Sequence, residues 1–187
     1  MPASVRPAAC MVVLLGACAA LAFAVAADAA GRDRLLAPEH LCPNPALSAS
    51  PRVQTTAMLC YHDYARLQMG EPVLRSVSSL QRSAVLKARW VAVCRRFTHV
   101  PCGHSLRSAF SEVGYIRGDW MIGQNLGWGA GPLGRVRDMF AAWLRSPAHR
   151  EDIIRPEWRE MGLARIHALR LFGADDVTLW VAHFGAH

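Results

Sequence analysis

Lysine is almost missing from this chain. Of 21 basic residues only Lys87 is a lysine; the rest are arginines, scattered rather than run together. That dispersion excludes a polybasic tail, and no nucleic-acid-binding motif is present, so nucleic acid is not an expected partner. Also absent are the Gly-x-Ser-x-Gly elbow of a hydrolase nucleophile and the His-Glu-x-x-His helix of a zinc protease. The cysteine spacings are wrong for a paired Cys-x-x-Cys zinc site. There is no internal repeat, and 187 residues suit one domain with a real core. Beyond residue 30 no segment is long and apolar enough to cross a bilayer.

The first 30 residues have a separate logic. Arg6 precedes the apolar run "CMVVLLGACAALAFAVA", which closes on the small residues "ADAA". A positive start, an apolar stretch and an Ala-x-Ala close make a secretory signal peptide, with cleavage expected near Ala29 or Ala30. Two alternatives are an uncleaved anchor and a lipoprotein box at "LGAC", which would acylate Cys18. The apolar run continues past Cys18, and that argues against acylation. Apart from this leader no membrane contact is expected. The leader carries one Arg and one Asp, so the formal charge stays at +7 once it is removed. Such a surface can be drawn to anionic walls, lipids or polysaccharide, although an ordinary solvated surface explains the charge as well.

Four cysteines follow the leader: Cys42, Cys60, Cys94 and Cys102. An even number in an exported chain predicts disulfides. Sequence proximity favours Cys42–Cys60 and Cys94–Cys102 among the three possible connectivities, each adding about 2–3 kcal/mol on the loop-entropy model. Pairing also removes a Cys/His nucleophile.

Residues 31–51 form a Pro- and Ser-bearing lead-in, tied by the first bridge to the domain at 52–187. Val53, Ala57, Cys60, Tyr61 and Tyr64 mark one helical face, and Gly70 with Pro72 ends that helix. A second helix is predicted from Ser78 or Ser79 to Arg96, with Leu80, Ala84, Ala88 and Val91 as its buried stripe. A short helix is placed around 106–113. "IGQNLGWGAGPLG" reads as loop, with at most a short strand. Val136, Met139, Phe140, Trp143 and Leu144 make the cleanest amphipathic pattern. Ser146 and Pro147 suit the N-cap and first position of another short helix. "MGLARIHALRLF" and "VTLWVAHF" read as strands joined by a turn at "GADD". Helices first and a terminal hairpin last predict an α+β domain.

Three polar residues stand out against apolar surroundings: His99, Gln124 and His149. Two neutral imidazoles could take a divalent cation such as zinc, with an amide oxygen or water completing the shell. One imidazole could instead act as a general base. Against both stands the plain reading, in which each histidine is a packed or surface residue. Asn125 is expected to cap its loop backbone, His183 to be a half-exposed strand-end residue that could serve as a further ligand, and His104 and His187 to be solvated. Trp128 and Trp143 read as core.

Five short stretches, taken in order, resemble the bacterial branch of the CAP superfamily, named for cysteine-rich secretory proteins, antigen five and plant pathogenesis-related proteins. "RRFTH" looks like the family's "FSH" element, "GQNLGWG" like its "GEN" element, and "AWLRSPAHREDII" like "W-x-x-SPGHR-x-x-I". "WREMGLA" and "LWVAHFG" resemble the elements of the last two strands. The match runs from about Thr55 to Gly185. It implies a three-layer α-β-α sandwich with a small antiparallel sheet. It also implies a polar cavity bounded by His99, Gln124, His149 and Glu160, where some members bind zinc or another divalent cation; others bind sterols or lipids at a separate groove. From the residues alone, Glu160 reads first as one half of an ion pair with a nearby arginine such as Arg150.

Two positions depart from the family pattern. Ala148 replaces a common glycine, which a helix tolerates. Gln124 replaces a glutamate. An amide cannot act as a general base, and it removes a negative charge beside two histidines, so a cation is held more weakly. The expected role is therefore a secreted, monomeric binding protein rather than an enzyme, its ligand a lipid, wall polymer or host surface. The alternatives are a metal-assisted hydrolase of peptide or glycan, with His99 and His149 holding the ion, and a disulfide-braced domain that only contacts partner proteins.

Overall fold

A computed structural model describes residues 31–187; the expected signal peptide, its expected cleavage site and Cys18 lie outside the described residues. Leu35–His187 forms one compact unit. Helices α1 (Pro51–Gln68), α2 (Ser78–Cys94), α3 (Ser108–Glu112), α4 (Val136–Arg145) and α5 (Pro147–Ile154) pack around one sheet. Its strands are β1 (Arg75–Ser76), β2 (Met121–Ala130), β3 (Glu160–Leu171) and β4 (Ala174–Ala186), in the spatial order β1-β3-β4-β2. The β2–β4 and β3–β4 pairs are antiparallel, and the two-residue β1 pairs parallel with β3. No helix among the described residues is long and apolar enough to cross a membrane.

Alternation along β4 sorts the layers. Trp180, Ala182 and Phe184 face one side, where they join Met58, Tyr61, Phe140, Trp143 and Ile153 of α1, α4 and α5. Leu179 and Val181 face the other, against Ala84, Ala88 and Val91 of α2. The result is the expected α-β-α sandwich. The α2 stripe is buried as its spacing predicts. Gly162 lets that helix lie directly on the sheet, since a Cβ there would sit 2.1 Å from the Leu80 carbonyl carbon.

Several elements differ from expectation. The first helix is rotated: Val53 is exposed, while Gln54, His62 and Arg66 are buried. Gln54 donates to the carbonyls of Ala46, Leu47 and Ala49, so its amide holds the lead-in rather than facing water. The hairpin turn is not "GADD". Leu171 pairs with Ala174, leaving Phe172 and Gly173 as the loop, with φ of 53° and 81°. Two successive positive φ values match the tight turn that suits strand twist. The largest difference is β2. The stretch read as loop is a ten-residue strand. Gly123, Gly127 and Gly129 share one face of it, and a Cβ at each would meet Trp158, Met139 or the Leu133 carbonyl within 2.6 Å. The glycines let helix and loop sit on the strand backbone.

Both disulfides form as proximity suggests, Cys42–Cys60 and Cys94–Cys102. The first ties the lead-in to α1. The second closes the segment that carries His99.

Candidate functional site

β2 is an edge strand, and its alternation sends Gln124 to the α2 side and Asn125 to the side of α4 and α5. Gln124 is 5% exposed. It pairs in register with His183 of the central strand. His183 is fully buried, not half-exposed, because Phe110 stacks on it at 4.2 Å and Ser83 of α2 covers its Nδ1. His99 approaches from the loop after α2. His149 comes from the first turn of α5, on the other side of the sheet, where Asn125 Nδ2 donates to its backbone carbonyl at 2.9 Å. Asn125 therefore positions α5 instead of capping a loop. Ser146 is the N-cap residue of α5, but its hydroxyl makes no capping bond.

Gln124 sits between two imidazoles. Its Oε1 is 2.9 Å from His99 Nδ1, and its Nε2 is 2.6 Å from His183 Nε2. The electrostatics link His149 and Asp152 to the same neighbourhood. His149 has its pKa lowered by burial first and by the His99 charge second. Asp152 has its pKa raised by burial, opposed chiefly by the Arg155 charge and least by that of His99. Asp152 lies three residues after His149 on α5, a spacing that puts both on one helix face; the sequence showed that spacing, but an acid followed by Arg155 reads as a surface pair. The structure thus joins His99, Gln124 and His183 by hydrogen bonds at the edge strand β2, with His149 linked to His99 only through its electrostatics.

Lys87 is also here. The lone lysine is fully buried one turn beyond Ser83, and its Nζ donates to the His99 carbonyl. Burial pushes it down to about 8. Its charge adds to burial in holding His183 well below the usual imidazole range. Neither Ser83 nor Lys87 was legible as a site residue, since both fall on a stripe otherwise filled by alanine and leucine.

Glu160 is held elsewhere. Its carboxylate accepts from Tyr115 at 2.9 Å and from the Arg75 guanidinium. The ion pair expected with Arg150 is made with Arg75, because β1 runs alongside the start of β3; Arg150 donates to the Leu144 carbonyl instead. The small hollow beside Glu160 is lined by Tyr115, Arg117 and His187, not by the imidazoles of the site. His187 is exposed as expected, whereas His104 is half-buried and stacks on Trp90 at 3.8 Å. Trp143 is core, and Trp128 is half-buried against Phe172.

No protein-family model and no curated protein sequence matches the chain. Solved structures do. An outer surface protein of Borrelia burgdorferi superposes with a TM-score of 0.60 at 19% identity, over 72% of this chain and 92% of the other. A cysteine-rich secretory protein of Staphylococcus aureus gives 0.57 at 18% identity, over 75% of this chain and 40% of its own. The chain has the CAP fold. An extracellular protein of Bacillus anthracis containing an SCP domain agrees, at 0.54 and 14% identity, over 73% and 43%. This chain thus spans less than half the length of the last two. Identities this low establish the CAP fold and leave activity to the residues of the site.

Those residues define what a cation would find. Among the described residues no group of three or more His, Cys, Asp or Glu is arranged to hold a metal ion. Gln124 Oε1 already accepts from His99, which leaves the imidazoles of His99 and His149, with water for the remaining positions. Two imidazoles are a donor set for a borderline cation such as zinc and do not suit calcium or magnesium, which need oxygen ligands. Replacing Gln124 with glutamate places a carboxylate against His99 Nδ1–H, which makes the imidazole a stronger donor. Gln124→Glu is expected to tighten zinc binding by about tenfold, the scale of carboxylate–histidine support. Calorimetry of the wild type and variant measures it; equal or weaker binding contradicts the arrangement.

Proposed function

We propose that this protein is an exported CAP-fold binding protein working at or beyond the cell envelope, with the hollow between His99, Gln124 and His149 as its ligand site. The ligand is a lipid, wall polymer or host surface. One observation carries the reading: the family's acidic position is an amide pinned between two imidazoles, so it offers no carboxylate base. The outer-surface, extracellular and secretory descriptions of the structural neighbours favour the same place of action. The formal charge of +7 favours an anionic partner surface.

Incubating the oxidised protein with purified cell wall and with labelled lipid vesicles tests the reading. Saturable retention on one of them, reduced at least fivefold in the His99→Ala/His149→Ala double variant, is expected. Retention on neither sinks it.

A second reading has its own support. Burial keeps His149 neutral at neutral pH, and a neutral imidazole has a lone pair for a cation. A zinc ion held by His99 and His149 would supply Lewis acidity towards a peptide or glycan. Absence of zinc binding at micromolar concentration removes that reading and leaves the first intact.

A further inference from the structure

The amide of Gln124 does more than replace a carboxylate. It imposes a direction on every hydrogen bond around it. An amide Nε2 can only donate, so His183 Nε2, 2.6 Å away, must be the acceptor. A neutral His183 then carries its proton on Nδ1, which points at Ser83 Oγ 2.7 Å away. Ser83 receives that proton and donates its own to the Leu80 carbonyl at 2.8 Å. On the other side, Gln124 Oε1 can only accept, so His99 Nδ1, 2.9 Å away, must carry a proton. The four bonds run one way, from the exposed His99 to the buried backbone of α2.

The reverse orientation of the amide is poorer. Flipping it would make His183 donate through Nε2 and accept through Nδ1. Ser83 would then have to donate to His183 and abandon Leu80, so one bond of the four is lost. The buried Lys87 ammonium beside His183 also disfavours protonating both ring nitrogens. Ser83 and His183 are themselves fully buried, so water cannot make up a missing bond without opening the α2–sheet contact.

We infer that Ser83 and His183 are positioning residues that lock the Gln124 amide and, through it, hold His99 as the Nδ1–H tautomer, so that the nitrogen left for a ligand is Nε2 with its lone pair. Free histidine favours the opposite tautomer, which would present an N–H there. The hollow is thereby set to receive an electron-pair acceptor: a hydrogen-bond donor such as a hydroxyl or ammonium group, or a nitrogen-preferring cation. A bare anion is not accommodated by that nitrogen. The inference rests on the proposal that this hollow is the ligand site, but its first test does not use a ligand.

Nitrogen-15 NMR of the oxidised protein at pH 8 reads the tautomer directly. His99 is expected to show a protonated Nδ1 and a pyridine-like Nε2. Protonation at Nε2 in the wild type overturns the lock, whatever the wall and lipid assays give. In His183→Gln an amide can face Gln124 in either sense, so His99 is expected to become a mixture of tautomers, and zinc, used as a lone-pair probe, to bind about tenfold more weakly. Ser83→Ala should move both readouts the same way and carries the comparison should His183→Gln not fold. A merely structural role for these residues would change unfolding but not the tautomer. An unchanged His99 spectrum in a folded variant therefore also overturns the inference.

Discussion

Arg66→Met is expected to cost about 3–5 kcal/mol of stability, through the several buried carbonyls it leaves without a donor. Arg66 is fully buried in α1. Its Nε donates to the Pro72 carbonyl at 2.8 Å. Its NH1 reaches the carbonyls of Ile153 at 3.1 Å and Arg155 at 2.8 Å, and NH2 that of Trp158 at 3.5 Å. The Ile153 and Arg155 carbonyls are backbone groups that the end of α5 leaves without helical partners. A guanidinium suits them because its donors spread in a plane, and because positive charge is favoured at a helix C-terminus. Methionine fills much of the volume and satisfies none of the carbonyls; that of Trp158 keeps the Arg159 guanidinium, and each of the others costs about 1–3 kcal/mol when buried unpaired. Arg66→Lys, with a compact ammonium, should recover only part of the loss. Thermal unfolding measures both; a fall of roughly 10 °C or more is expected for methionine in a domain of this size. A fall of 2 °C or less would show that water replaces the guanidinium.

The Arg66 network also shows where reading the sequence stops. Helical spacing finds the stripe of α2 and the face of α4 because apolar residues recur there at helical intervals. It misplaces the inner face of α1, where Gln54, His62 and Arg66 are buried against carbonyls supplied by the lead-in and by the segment after α5. A polar side chain reads as exposed until its distant partner is known. β2 fails for the reverse reason. Glycine is a poor strand former, and only the close approach of Trp158, Met139 and Leu133 explains three of them on one strand face. His99, Gln124 and His149 are legible because short motifs with a family resemblance carry them. Ser83 and Lys87 belong to no such motif, and His183 lies in "LWVAHFG", which marks a strand and not a site. Alternation puts His183 on a face with Val177, Leu179 and Val181, but whether that face is covered depends on Ser83, a hundred residues earlier.

Acid should unfold this domain between pH 6.5 and 4, ahead of ordinary carboxylate protonation, and His62 should account for much of it. The ring is fully buried, 5.0 Å from Phe140, 5.9 Å from Trp143 and 5.8 Å from Phe184. Nδ1 lies 2.8 Å from the Met58 carbonyl and donates to it, which leaves Nε2 without a partner. Burial among aromatic rings pushes its pKa down from 6.5 to about 4. The unfolded chain binds a proton as pH falls through 6.5, while the native state does not until about 4. Stability is therefore complete above 6.5 and declines with falling pH across that window. A depression from 6.5 to about 4 corresponds to a loss of about 3 kcal/mol. Below pH 4 this contribution stops growing, because both states are then protonated. His183 is shifted in the same direction and adds to the slope. His62→Leu removes the proton-binding group from the aromatic cage. Urea unfolding at pH 7.5 and 4.5 should then show the wild type losing about 2–3 kcal/mol more than the variant over that interval. Equal losses in the two proteins would mean that His62 reaches solvent, or is already charged, in the native state.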